Sequence, residues 1–249
     1  MADLDFLDIA ERGALERAAT AIERGLGEKL RSVMLVGDGV PPVRREPAEP
    51  LDLLVVVSDL PVPALSNLAH QLGAVAVAAV RVRVLTEREL LRSADVFTLQ
   101  LADYQARNVV LRGACPLTDL HFTRGELRRS IEQTLRATGW RLRDIVLHQA
   151  GHRAAPLPEI GPLLREVLAE LRVVAHHLLL LVGDSPPAAA AELLPSLGAR
   201  VSGRREAFAA IETASRAEPS VPAAVPLLAE LLEMLDATTA FVDEIGTGD

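Results

Sequence analysis

The chain has 249 residues, of which 49% are apolar and 24% are charged, proportions that are typical of globular proteins and unlike those of disordered chains. Its formal net charge of −8 argues against general nucleic-acid binding, because neutralising phosphates requires a basic surface. Cys115 is the single cysteine, which excludes a disulfide framework and a cysteine metal cluster. The acidic start of the chain lacks a signal-peptide pattern and the longest apolar run is interrupted by histidines, so we expect a cytoplasmic protein without a membrane span.

The first 120 residues alternate between helical and strand patterns. Apolar residues at helical spacing predict helices at 9–30 and 61–73. Three short apolar runs predict buried strands at 32–37, 51–57 and 77–86. Thr86 and Glu89 form a capping-box pattern, which predicts a short helix after the third strand. The pattern of segment 94–112 does not distinguish a helix from a strand. We expect a short extended piece at 108–113.

The rest of the chain has only helical patterns. Apolar stripes separated by proline-marked connections predict helices at about 124–150, 160–182, 190–198, 203–216 and 224–245. The second of these is apolar nearly all round toward its end, which predicts that it is buried in a bundle. We therefore predict two domains, an α/β domain at about 1–120 and a helical bundle at about 121–249.

Three segments carry a resemblance to a known family, namely SVMLVGDG (32–39), PLDLLVVVSDL (50–60) and VRVRVLTEREL (80–90). They match a strand that ends in Gly-Ser, a strand with Asp-x-Asp, and the strand with the third carboxylate of polymerase-β-type nucleotidyltransferases. Over roughly residues 10–180 the chain resembles the bacterial kind with a helical C-terminal domain, as in kanamycin nucleotidyltransferase. The resemblance implies an α+β fold in which a small mixed sheet is followed by an all-helical bundle.

The catalytic residues of that family are only partly present. The family uses two divalent cations about 3.5–4 Å apart, and hard ions such as Mg²⁺ need several oxygen ligands that converge. Asp52 matches the second carboxylate, whereas Pro50 stands at the first and Arg81 or Arg83 at the third. Asp38 replaces the serine that follows Gly37 in the loop. The match therefore predicts a degraded two-metal site with no Mg²⁺ or weakly bound Mg²⁺.

This pattern predicts a nucleotidyltransferase-fold protein that is catalytically weak or inactive and serves as a nucleotide-binding or protein-interaction module. Asp52 and Asp38 are the candidate catalytic residues, and Asp52 is a relic metal ligand. Gly37, Asp38, Arg81 and Arg83 are the candidates for binding a nucleoside triphosphate, because guanidinium groups repel Mg²⁺ and pair with phosphate directly. Alternatively, Asp52 has only a structural role, and the two arginines are only a row of side chains that face the solvent.

Two other functions are also open. An active Mg²⁺-dependent enzyme could transfer NMP from NTP to a small molecule or a protein, with Asp38, Glu49 and Asp52 as rearranged ligands. Alternatively, the Arg-x4-His spacing of Arg143 and His148 is similar to that of HEPN-type ribonucleases, although the spacing is frequent by chance in a chain so rich in arginine.

The remaining histidines and the apolar bundle lead to three weaker expectations. His148 and His152 have the i, i+4 spacing of a metal pair, without an evident third ligand. The adjacent His176 and His177 favour one core residue and one rim residue. The apolar bundle could supply a face for a protein partner or a homodimer.

Overall fold

The computed structural model describes residues 4–37, 40–41, 50–75, 80–151, 160–201, 203–216 and 221–246. The chain divides into two compact units, Met1–Phe122 and Thr123–Asp249. The first unit contains a sheet with its helices, and the second contains helices alone over the residues described.

The elements of the first unit follow the sequence patterns closely. In chain order they are α1 (Ile9–Leu26), a 3-10 turn (Gly27–Lys29), β1 (Leu30–Val36), β2 (Leu51–Val57), α2 (Val62–Ala74), β3 (Val80–Thr86), α3 (Glu87–Arg92), α4 (Thr98–Ala106) and β4 (Asn108–Gly113). The helix predicted to reach residue 30 ends earlier, because Gly27 adopts a positive φ of 54° that a helix cannot continue through. The capping box of Thr86 and Glu89 is confirmed.

The four strands form one mixed sheet in the order β3-β2-β1-β4. β1 is antiparallel to both β2 and β4, whereas β2 and β3 are parallel. The ambiguous segment 94–112 contains α4 followed by β4, which pairs with β1 at the edge of the sheet. The expected α+β fold with a small mixed sheet is therefore confirmed.

Strand alternation gives the sheet two different faces. One face packs against α1 and α2 through apolar side chains such as Leu35, Leu53 and Val55, which are almost completely buried. On the other face, Met34, Leu54 and Val56 pack with Leu90, Leu101 and Tyr104 from α3 and α4. We call this second surface the α4 face of the sheet. Asp52 lies on the α4 face, because its neighbours along β2, Leu51 and Leu53, lie on the opposite face.

The second unit is the helical bundle that the sequence predicts. Its helices are α5 (Arg124–Gly151), α6 (Ile160–Leu181), α7 (Ala190–Val201), α8 (Arg205–Arg216) and α9 (Val221–Glu244). α6 and α8 are joined by a buried ion pair, in which Arg172 Nη2 lies 2.7 Å from Glu212 Oε2. In the described parts of the chain, no helix combines the length and apolar character needed to cross a membrane.

The expectation for the two adjacent histidines is wrong. His176 and His177 are both buried, at 8% and 4% exposure, and their rings meet edge to face at 5.1 Å. The physical reason is that α5, α7 and α8 all pack against α6, so that this part of the helix encloses two neighbouring side chains that lie on different sides of it.

Candidate functional site

Asp52 is the second residue of β2 and lies directly opposite Arg81 of the parallel strand β3. The two side chains form an ion pair, with Arg81 Nη1 3.4 Å from Asp52 Oδ1. Both are accessible to solvent, because 34% of the Asp52 side chain and 61% of the Arg81 side chain are exposed. Arg81, one of the two positions at which the resemblance implies the third carboxylate, therefore carries a guanidinium group that pairs with Asp52.

Arg83 lies two residues further along β3 and therefore on the same face as Arg81. Its Nη1 donates a hydrogen bond of 2.8 Å to the hydroxyl oxygen of Tyr104 on α4, and its guanidinium carbon lies 6.0 Å from the centre of the Tyr104 ring. The same hydroxyl accepts a hydrogen bond of 2.8 Å from Nε2 of Gln100. Arg83 is therefore held by a neutral group, whereas Arg81 is held by a charged one.

Tyr104 is almost fully enclosed by the α4 face, with 6% exposure. Burial raises the pKa of its hydroxyl to about 12, and the positive charge of Arg83 opposes that shift. The nearby carboxylates of Asp52 and Asp103 raise the pKa further. Tyr104 consequently stays protonated at neutral pH, so its hydroxyl does not compensate the charge of Arg83.

Gly37 follows β1 and adopts a positive φ of 70°, a conformation that favours glycine. Its backbone N–H donates to the carbonyl oxygen of Arg107 at 3.0 Å. A side chain placed on Gly37 would lie 3.7 Å from Oδ2 of Asp103 and 3.8 Å from the ring of Tyr104. The loop glycine is therefore close to α4, which the sequence patterns do not assign to the site.

Asp103 and Arg107 form a second ion pair beneath Gly37. Nε of Arg107 donates to Oδ1 of Asp103 at 2.9 Å, and both side chains are almost completely buried, at 2% and 3% exposure. The pair is connected to the loop through Arg107, whose backbone carbonyl accepts the hydrogen bond from Gly37. The spacing of Asp103 and Arg107, four residues apart, is a signal that could have pointed to such a pair once 98–106 was known to be helical.

The structure brings Asp52, Arg81, Arg83 and Gly37 to one end of the α4 face, together with Tyr104 and Gln100. Asp38 and Glu49 lie outside the described residues, so the rearranged trio with Asp52 stays a prediction. Among the residues that the structure describes, no group of three or more His, Cys, Asp or Glu side chains could hold a metal ion. Asp52 is paired with Arg81, and the described residues by themselves do not supply the several converging oxygen ligands that a two-metal centre needs.

Of the two residues of the alternative ribonuclease, the structure describes the side chain of Arg143 alone. Nη2 of Arg143 lies 2.9 Å from Oδ1 of Asp236 on α9, so this arginine takes part in an ion pair within the bundle. The side chain of His148 and the whole of His152 lie outside what the structure describes. Arg172 and His177 have the same Arg-x4-His spacing in the sequence, and both are buried, with Arg172 bonded to Glu212.

Three other arginines of α5, namely Arg128, Arg136 and Arg141, also form ion pairs with carboxylates. Arg136 bonds to Glu132 at 2.9 Å, and Arg141 bonds to Glu166 and Glu170 on α6 at 3.2 and 2.7 Å. Thr138, Arg141 and Glu170 line a pocket of about 230 Å³ in the bundle. Arg141 therefore joins α5 to α6, whereas the pair of Arg136 and Glu132 lies within α5.

The architecture was compared with known structures. The spectinomycin adenyltransferase AAD(9) from Enterococcus faecialis, solved with ATP and spectinomycin, matches with a TM-score of 0.63 over 91% of this chain and 98% of that chain. This chain has a nucleotidyltransferase-like fold. No protein-family model and no curated protein matches the sequence. Since the sequence identity is 12%, the likeness shows the fold, and the chemistry must come from the residues themselves.

Proposed function

We propose that this chain is a nucleotide-binding protein of nucleotidyltransferase fold that has lost two-metal catalysis. The observation that supports the proposal is the ion pair between Asp52 and Arg81, because the resemblance implies a metal-binding carboxylate at Arg81 or Arg83 and both are guanidinium groups. Pro50, which stands at the position of the first carboxylate, has no side-chain oxygen. Because the matching adenyltransferase was solved with ATP, ATP is the nucleotide to test first.

The site residues have separate roles in this proposal. Arg81 and Arg83 provide positive charge for the phosphates, since guanidinium groups form strong paired hydrogen bonds with phosphate oxygens. Gly37 allows the loop after β1 to approach the phosphates closely, because a glycine has no side chain to block them. Asp38 belongs to the same loop, and Asp52 is the remaining carboxylate of the lost metal site.

The test separates binding from catalysis. Equilibrium dialysis with labelled ATP measures binding, and release of pyrophosphate in the presence of Mg²⁺, with and without spectinomycin, measures transfer. We expect saturable ATP binding and no pyrophosphate above the background of an enzyme-free sample. Loss of ATP binding under every condition would overturn the proposal.

A restored metal site provides the matched control. The double variant Pro50→Asp and Arg81→Asp returns a carboxylate to both positions, so that three acidic groups face one point. We expect Mn²⁺ to bind this variant measurably by calorimetry and to bind the natural protein much more weakly. Tight binding of two Mn²⁺ ions by the natural protein would contradict the loss of the metal site.

An active transferase is the second candidate, and the likeness to an adenyltransferase favours it. In that case Asp38 and Glu49 would have to complete the ligand set around Asp52. Pyrophosphate release that requires Mg²⁺ and disappears in Asp52→Asn would select this function. A role in binding a protein partner or a second copy stays a prediction from the apolar bundle.

A further inference from the structure

The charges on the α4 face are not evenly shared. Asp52 is balanced by Arg81 at 3.4 Å, and Asp103 is balanced by Arg107. Arg83 has no carboxylate within ion-pairing distance among the described residues, and its hydrogen-bond partner is a neutral hydroxyl. The charges of these five described side chains sum to one positive charge. The side chain without an acidic partner in this set is Arg83.

Arg83 is also held in place before any ligand arrives. One of its N–H groups is used by Tyr104, and a guanidinium group has five such donors, so donors remain for a ligand. Tyr104 is itself fixed by burial and by the bond from Gln100. A long side chain that is already oriented loses less conformational entropy when it binds a phosphate.

We propose, resting on the proposed function, that this site binds the phosphates of an uncomplexed nucleoside triphosphate through Arg83, with Tyr104 as a positioning residue and Mg²⁺ as a competitor. A metal-dependent site would prefer the Mg²⁺ complex, in which the ion bridges protein carboxylates and phosphates. Here the ion would meet a neutralised carboxylate and a bare guanidinium group, and it would also remove about two negative charges from the ligand. Mg²⁺ therefore weakens binding at this site.

The first experiment measures the Kd for ATP by equilibrium dialysis, once with EDTA and once with saturating Mg²⁺ at the same ionic strength. We expect the Kd to rise about fivefold with Mg²⁺, because the charge of the ligand is roughly halved. Inorganic triphosphate should displace ATP in EDTA, since the phosphates are the recognised group. Binding only with Mg²⁺ overturns this inference and leaves the proposed function standing, whereas absence of binding in both solutions overturns both.

The second experiment assigns the binding to Arg83. Arg83→Gln should raise the Kd in EDTA about tenfold, the usual consequence of losing a charged hydrogen bond. Arg24→Gln is the matched control, because this exposed arginine is on α1, on the opposite side of the sheet, and the change in charge is the same. Equal Kd values for Arg83→Gln and the natural protein would overturn the inference.

Tyr104→Phe tests the positioning role, because it keeps the ring and removes only the hydroxyl. We expect a rise in Kd of about threefold in the natural background and none in the Arg83→Gln background. A merely structural role would raise the Kd equally in both backgrounds, and that result would contradict positioning through Arg83. Thermal unfolding of each variant shows whether it is folded. If Arg83→Gln is not folded, Arg83→Lys, which keeps the charge without the planar fork, is used in its place.

Discussion

Two Asp–Arg ion pairs lie near Gly37, and they differ chiefly in burial. The pair of Asp103 and Arg107 is almost completely enclosed, whereas the pair of Asp52 and Arg81 is open to solvent. Enclosure makes the first pair part of the structural framework, because neither charge can be exposed to water without unfolding α4. Exposure makes the second pair available to ligands. The two pairs consist of the same residue types, so their roles follow from the difference in burial.

The largest expected effect breaks the buried pair. Arg107→Gln leaves the carboxylate of Asp103 buried without its charged partner, which should lower the free energy of unfolding by about 4 kcal/mol. Urea denaturation followed by circular dichroism measures the change. Arg81→Gln, the same substitution in the exposed pair, should lower it by less than about 1 kcal/mol.

Replacing both members of the buried pair sharpens this contrast. The double variant Asp103→Leu and Arg107→Met removes both charges together, so it should be clearly more stable than Arg107→Gln alone. Equal losses of stability for Arg107→Gln and Arg81→Gln would show that burial does not separate the two pairs.

The next effect concerns Tyr104, which lies between the two pairs and is the only tyrosine in the chain. Because its pKa rises from 10.0 to about 12 on folding, the native protein holds this proton more tightly than the unfolded chain does. The resulting stabilisation is complete below pH 10 and is lost as the pH rises from about 10 to about 12. Ultraviolet absorbance of the tyrosinate, recorded against pH, follows Tyr104 alone.

Variants of its neighbours should shift this titration in opposite directions. Arg83 lowers the pKa of Tyr104, so Arg83→Gln should move the midpoint upward, and Asp52→Asn should move it downward. Arg24→Gln should leave it unchanged. A midpoint that is the same in all variants would contradict the arrangement of Arg83 and Asp52 around the hydroxyl.

The smallest effect on stability is expected at the exposed pair. Asp52→Asn should change the free energy of unfolding by less than about 1 kcal/mol, because both partners are solvated. The same variant should bind ATP several times more tightly, since it removes a negative charge near the phosphates and releases Arg81. Weaker ATP binding together with lost pyrophosphate release would instead support the active transferase.

Much of the fold was predictable from local patterns. β2 has the predicted bounds, and the helix after β3 begins at its capping box, because period-two and capping signals are local. The mixed sheet required the family resemblance, since strand order depends on contacts between distant segments. Segment 94–112 could not be assigned, because α4 is short and joins β4 within two residues.

The candidate site was predictable in part. Pairing Asp52 with Arg81 follows from the register of two strands that were both anticipated. Tyr104, Gln100 and Asp103 were missed, because α4 reaches the site only through the packing of a helix that had no clear pattern. The prediction for the histidines of α6 was wrong because their burial depends on how many other helices pack around that part of α6, which a local pattern does not show.

The position of β3 gives its arginines another consequence. In the described part of the chain β3 is an edge strand, and its sequence of alternating valines would readily pair with a strand of another molecule. The positive charges of Arg81 and Arg83 oppose such aggregation. The carboxylate that the family has on this strand would oppose it equally, because a negative charge has the same effect. The charge at these two positions therefore protects the edge strand in a way that does not depend on any reaction at the site.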